Sequence, residues 1–386
     1  MSSVDRDLLE RVRNVLAATP GEATPARVAA ALRTEGAVLG DAAVLEVTAT
    51  LRAEIVGAGP LEPLLREPGV TDVLVNAPDG IWMDRGAGLE RSTVCFRDEA
   101  AVRRLAQRLA AGAGRRLDDA VPWVDARLSG GVRLHAVLPP VSPTGTLVSL
   151  RVPARRAFSL DDLVAAGGVA PALEGWLRGI VAARLAFLVT GGTGTGKTTV
   201  LGALLSLVDA RERLVLVEDS GELRPDHPHV VRLEARLPNV EGAGRVALDD
   251  LVRQALRMRP DRLVVGEVRG AEVVDLLAAL NTGHEGGCGT VHANAPSAVP
   301  ARLEALGVAA GLGREALHSQ VAAALDLVVH LTRDQDGRRR VAEVDLFRPD
   351  AGGRVSAVPA LFCDADGAVR GGPGLDGLRD LVGRRC

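Results

Sequence analysis

The chain has 386 residues, enough for two or three domains with proper hydrophobic cores, and its net charge of −3 gives no global field toward DNA or acidic lipid. Five Phe, three Trp and no Tyr are too few for a surface that stacks single-stranded bases. The cysteines Cys95, Cys288, Cys363 and Cys386 stand far apart without a CxxC pair, which excludes a zinc site or disulfide framework and suits a reducing cytoplasm.

Residues 1–58 read as an N-terminal helical segment. Leu8, Leu9, Val12, Val15 and Leu16 recur at helical spacing, and Thr24-Pro25 is a cap followed by proline at the first helical position. A second apolar-periodic stretch runs from Ala43 to Val56. The start, Met1-Ser2-Ser3-Val4-Asp5-Arg6, is no signal peptide, and no apolar run reaches the roughly 18 residues of a membrane span.

Residues 59–153 read as a small α+β domain. Strands are expected at Val70 to Val75 and Gly80 to Met83, around the turn Pro78-Asp79-Gly80. A helix follows at Glu99 to Ala111, then strands at Gly131 to Val137 and Thr146 to Val152. Residues 154–159 form a short basic linker. Residues 160–350 alternate strand and helix, the α/β pattern of a mostly parallel sheet. Expected strands are Leu185 to Val189, Leu214 to Val217, Leu263 to Val265 and Cys288 to His292. Expected helices are Thr198 to Leu207, Leu248 to Met258 and Ala271 to Leu280. Residues 351–386, rich in Gly and Asp, are expected to be a poorly ordered tail.

The basic residues carry the sharpest signal. Of 46 Lys and Arg, one is lysine, and it is Lys197 in Gly191-Gly192-Thr193-Gly194-Thr195-Gly196-Lys197-Thr198. This is the phosphate-binding loop G-x-x-x-x-G-K-[ST], extended by Thr199, and it stands between an expected strand and an expected helix. Backbone N–H groups and the helix N-terminus cradle phosphates there. Lys197 is expected to reach the β- and γ-phosphates, and the Thr198 hydroxyl to ligate Mg²⁺.

Hydrolysis needs an acid for the metal and one for water. Glu218-Asp219 ends one expected strand and Glu267 another, and a parallel sheet puts both strand ends at the edge of the phosphate loop. The second acidic motif usually ends in Asp, and here Gly266 takes that place, so contact of Glu267 with Mg²⁺ is expected through water. Two histidines, His284 and His292, bracket the strand that begins at Cys288 and are candidates for sensing the γ-phosphate.

In order, the phosphate loop, Val217-Glu218-Asp219-Ser220-Gly221-Glu222-Leu223, Arg259 to Gly270, and Asn281-Thr282-Gly283-His284 to His292-Ala293-Asn294 resemble the ATPases of the type II and type IV secretion superfamily. Gly59-Pro60-Leu61-Glu62-Pro63-Leu64-Leu65, Val70 to Asn76 and Gly131 to Pro140 resemble the N-terminal domain of its tight-adherence pilus branch. The resemblance covers about residues 55–347. It implies a RecA-like P-loop domain, ATP and Mg²⁺ as cofactors, and a homohexamer that couples hydrolysis to domain movement. It implies a cytoplasmic protein, peripheral at the inner face of the membrane, docking on a platform protein without binding nucleic acid. It implies that Glu218 positions the attacking water, that Glu267 serves magnesium, and that Arg133 and Arg151 close over the γ-phosphate. Two departures stand out. Gly287-Cys288-Gly289 replaces the serine and threonine of many members, and no cysteine quartet of the extension ATPases is present. A conjugation ATPase or a RecA-like nucleic-acid motor is the alternative reading.

Overall fold

The computed structural model describes residues 57–386 apart from 87, 129, 154–156, 237, 239, 240, 335 and 386, and within the first 56 residues positions 11, 12, 15, 25–35, 44, 45, 47 and 48. Helix α1 spans Pro25–Thr34. Its expected cap Thr24, the residues Leu8, Leu9 and Leu16, most of the Ala43 to Val56 stretch and linker positions 154–156 lie outside the described residues. The chain divides into two compact units, Met1–Ala154 and Arg155–Cys386.

The first unit is a six-stranded antiparallel sheet in the order β3-β2-β1-β6-β5-β4. The short helix α2 (Glu62–Arg66) leads into β1 (Asp72–Ala77), β2 (Gly80–Asp84) and β3 (Leu89–Arg91). Then come α3 (Glu99–Gly112), β4 (Trp123–Arg127), β5 (Arg133–Val137) and β6 (Leu147–Arg151). Strict alternation decides the covered face: Val73, Val75, Ile81, Leu134, Ala136, Val148 and Leu150 are buried while their neighbours are not. Helix α3 covers them with Val102, Leu105, Ala106, Leu109 and Ala110, the stripe a 3.6-residue period produces. Its start is fixed by Asp98, whose carboxylate accepts from the Ala101 N–H at 2.7 Å.

The second unit carries a nine-stranded sheet, β15-β14-β13-β12-β7-β11-β10-β8-β9. Its parallel part consists of β7 (Phe187–Gly191), β8 (Leu214–Glu218), β9 (Val230–Glu234), β10 (Arg262–Val268), β11 (Cys288–His292) and β12 (Leu327–Arg333). Strands β13 (Arg339–Pro349), β14 (Val355–Cys363) and β15 (Val369–Gly371) extend it antiparallel. Helices α4 (Leu160–Ala165), α5 (Pro171–Ala182), α6 (Lys197–Leu205) and the last helix, at Leu375–Arg385, cover one face. Helices α7 (Leu248–Ala255), α8 (Glu272–Leu280), α9 (Val299–Ala309) and α10 (Arg314–Ala324) cover the other. The closing helix is α11. Strands β7 and β8 are buried along their whole length, which is why they read as continuous apolar runs. No helix among the described residues is long and apolar enough to cross a membrane.

Residues 351–386 are not the expected tail. They form β14, β15 and α11, and Ala360, Cys363 and Leu378 lie in the core of the second unit. Some of the glycines and aspartates that suggested disorder sit in hairpin turns, and Asp376, Gly377, Asp380 and Gly383 lie in α11. The Gly353 N–H donates to the Asp350 carbonyl at 2.9 Å and the Gly367 N–H to that of Asp364 at 3.0 Å.

Asp345 on β13 is 1 % exposed, shares a strand face with Glu343, and its buried Oδ1 has no hydrogen-bond partner among the described residues. Burial, then the charge of Glu343, pushes its carboxyl up to about 8. The folded chain therefore keeps a proton that the unfolded chain loses near its ordinary 3.8. The stability this contributes is complete below that value and is lost as pH rises through the folded one. Asp345→Asn, which never ionises, is expected to raise the melting temperature over wild type by a margin that grows from pH 5.5 to pH 8, reaching about 1–2 kcal/mol or a few degrees. A margin that shrinks with pH in thermal denaturation would contradict a buried acid.

Candidate active site

Strand β7 is a rigid apolar lead into the phosphate loop, and α6 begins at Lys197 directly after it. Gly194 and Gly196 hold φ of +74° and +91°, the left-handed region that turns the backbone amides inward. The buried Thr195 braces the turn by donating its hydroxyl to the Gly192 carbonyl at 2.9 Å. Lys197 Nζ donates to the carbonyls of Gly191 at 3.1 Å and Gly192 at 2.9 Å. Burial lowers the Lys197 ammonium from its ordinary value, the nearby Glu267 carboxylate opposes that shift, and Arg269 adds to it. Glu267 thus lies within electrostatic reach of the lysine.

The strand-end carboxylates differ sharply. Glu218 is 3 % exposed at the end of β8. Its Oε1 accepts from the backbone N–H groups of Glu222 and Leu223, each at 2.9 Å. Its Oε2 is buried and has no hydrogen-bond partner among the described residues. Burial raises the carboxyl, and the two N–H donors offset part of the rise. The glycine at 266 now has a reason: a β-carbon there would stand 2.7 Å from Glu218 Cγ. The residue type that displaces the usual aspartate makes room for this glutamate. Thr290 fixes the same point by donating its hydroxyl to the Gly266 carbonyl at 2.7 Å.

Glu267 is half-buried and accepts from Arg269, which also faces Asp219 at 3.8 Å. The sequence gives Arg269 no role, since one arginine among many carries no signal. In strand order β10 is two ladders from β7 and β8 is three, about 10 and 14 Å. Both carboxylates stand on the loop's edge of the sheet, Glu267 the nearer.

The histidines part company. Parallel pairing sets His292 opposite Gly191 and Cys288 opposite Phe187. His292 is therefore at the loop, whereas His284 precedes Cys288 and sits at the opposite edge, beyond the roughly 13 Å of β11. There the His284 Nδ1 bonds the Ala279 carbonyl at 3.1 Å, at the last turn of α8. The structure does not bring His284 to the loop of its own chain.

Arg133 and Arg151 belong to the first unit, where they are cross-strand partners on the exposed sheet face. Arg151 Nε donates to Asp72 Oδ1 at 3.2 Å, from the neighbouring strand β1. The carboxylate offsets the like charges of the pair and restrains the Arg151 fork. The sequence offers no sign of this partner, because Asp72 and Arg151 are joined only by sheet register.

The family profile described as "Type II/IV secretion system protein" matches residues 54–364. A putative conjugal transfer protein of Mycobacterium tuberculosis is 61% identical over 333 residues, covering 85% of this chain and 94% of that one. The type IV secretion system protein PtlH of Bordetella pertussis is 33% identical over 312 residues, covering 74% of this chain and 92% of that one. Two solved structures share the fold at 17% identity. They are the Legionella pneumophila ATPase DotB (TM-score 0.50, 81% of this chain, 82% of that) and the pilus retraction motor PilT with bound ADP (TM-score 0.51, 82% and 83%). A phosphate loop on a RecA-like parallel sheet, under a match that spans most of both units, makes this chain a member of the type II/IV secretion ATPase family.

Proposed function

We propose that this ATPase is the motor of a pilus-assembly machine of the tight-adherence type, and that it works as a hexameric ring docked on a membrane platform protein at the inner face of the membrane. The observation that carries the motor reading is the single sheet edge that holds Lys197 at the head of α6, the buried Glu218 with an Oε2 that has no partner among the described residues, and Glu267. In this reading the loop amides and Lys197 hold the phosphates of ATP and Glu218 orients water. Mg²⁺ would supply charge neutralisation at the phosphates. The donors fit that ion. The described residues hold no group of three or more His, Cys, Asp or Glu that forms a metal cage. One hydroxyl, Thr198, with Glu267 acting through water, suits a cation that keeps most of its waters and takes phosphate oxygens. His292 stands where loss of the γ-phosphate can be read. Phosphate release from ATP with and without Mg²⁺, beside light scattering with an ATP analogue, tests the reading. A strictly monomeric protein with full turnover would return it to a generic P-loop enzyme.

Arg133 and Arg151 are assigned to transition-state charge, so Arg133→Ala and Arg151→Ala are expected to lower kcat about 10- to 100-fold while KM moves about twofold or less. Neither fills a core position, and the melting temperature should stay put. Steady-state kinetics with unchanged kcat in both variants would remove the arginines from the mechanism.

A conjugation ATPase remains the second reading, because the relatives quoted above carry conjugal-transfer and type IV secretion names. The balanced charge and scarce aromatics argue against direct contact with a strand. Salt-dependent DNA binding, or DNA-stimulated turnover, would favour this second reading.

A further inference from the structure

We propose that Arg333 and Arg339 form a second phosphate-gripping element of the nucleotide site, acting on the α- and β-phosphate end on the side of the loop away from Glu267. The two are Cα partners at the turn end of the β12–β13 hairpin, so their side chains share one row of one face. Like charges directly opposite each other cost stability unless something anionic joins them. Among the described residues neither side chain has an ion-pair or hydrogen-bond partner. The neighbours show that this is not a general property of the hairpin. Arg338 donates to the carbonyls of Ala365 at 3.2 Å and Gly167 at 3.1 Å. Arg340 is paired with Asp334 at 3.0 Å and donates to the Cys363 carbonyl. Asp336 accepts from the Arg338 N–H at 3.1 Å. The acids of the hairpin are engaged elsewhere, and the middle arginine of three is left over.

Position decides the ligand. The point a β-carbon would occupy at Gly196 lies 4.0 Å from Arg339 Cδ and 4.0 Å from Leu331 Cδ2. The arginine stem therefore rests against the loop, with its exposed head beside the residue that precedes Lys197. Strand β12 flanks β7 on one side, and β11 and β10 flank it on the other. Glu267 and His292 thus mark the γ-phosphate side. The arginines mark the opposite end of the phosphate chain, where ATP and ADP are alike. A guanidinium fork suits that task, gripping phosphate oxygens with two parallel donors.

The test uses the full chain with Mg-ATP and Mg-ADP as probes. Arg339→Ala, and Arg333→Ala with Arg339→Ala together, are expected to weaken ATP and ADP binding equally, by about tenfold or more, so that KM rises more than kcat falls. The nucleotide-induced rise in melting temperature should shrink by the corresponding ~1.4 kcal/mol per tenfold. Without nucleotide the variants should melt at or above the wild-type temperature, since a repulsive pair has been relieved. Arg339→Lys should recover part of the affinity. Unchanged affinity in the double variant would overturn the proposal, as would a loss of nucleotide-free stability that accounts for the weaker binding. Failure of wild type to hydrolyse ATP would instead strike at the motor reading, because these binding measurements stand without turnover.

Discussion

Lys197→Ala is expected to reduce ATP turnover about 100-fold or more, with nucleotide affinity falling alongside it. The lysine holds its position by two bonds to the carbonyls of Gly191 and Gly192, so its ammonium already lies across the mouth of the loop. On the Glu267 side of the loop that charge is not replaceable from nearby. Arg269 is committed to Glu267 and Asp219. Lys197→Arg should fail as well. A planar fork needs two acceptors in its own plane, whereas the loop offers carbonyls to a compact ammonium in a half-buried setting. A chain that uses arginine at 45 of 46 basic positions and lysine at this one already points to that restriction. Binding of a fluorescent ATP analogue and phosphate release should be measured on both variants. Near-normal activity in both would sink the site assignment.

Four of the six parallel strands, β7, β8, β10 and β11, were legible because buried runs and the glycine loop are local signals. Cys288 to His292 is a strand at the expected bounds, and the expected helix at Leu248 to Met258 is α7 followed by a 3-10 turn. What escaped is β9, β12 and the antiparallel strands β13 to β15. Strand β13 begins with Arg339-Arg340 and carries Glu343 and Asp345, a polar pattern that hydropathy reads as loop. It is a strand because β12 and β14 pair with it on both sides, and burial raises the Asp345 carboxyl so that it stays protonated there. The site follows the same division. The loop and both acids are readable from spacing and strand ends. The room Gly266 leaves for Glu218, the Asp72–Arg151 pair and the separation of His284 from His292 depend on register and strand order, which a linear pattern does not contain.

Glu218→Gln should separate binding from chemistry. The amide carbonyl of glutamine can accept the same N–H groups of Glu222 and Leu223 that Oε1 accepts now. Gly266 packs so closely on Glu218 Cγ that the side chain has one place to go, so the geometry is kept. What changes is the buried Oε2 corner, which has no partner among the described residues and becomes a donor in the variant. An acceptor able to orient water and take its proton is lost, and hydrolysis is expected to fall about 10²- to 10³-fold while ATP binding persists. The pH profile supplies the sign. Burial raises this carboxyl above the ordinary 4.5, and its working form is the ionised one. Wild-type kcat should therefore climb with pH along a limb placed above that value, and the residual activity of Glu218→Gln should lack the limb. Glu267→Gln acts elsewhere: it frees Arg269 and removes the carboxylate that opposes the lowering of Lys197, so it should raise the Mg²⁺ requirement and weaken nucleotide binding. If Glu218→Gln and Glu267→Gln both hydrolyse ATP at the wild-type rate, neither carboxylate takes part in the chemistry, and the buried Oε2 of Glu218 is a structural vacancy rather than a place for water.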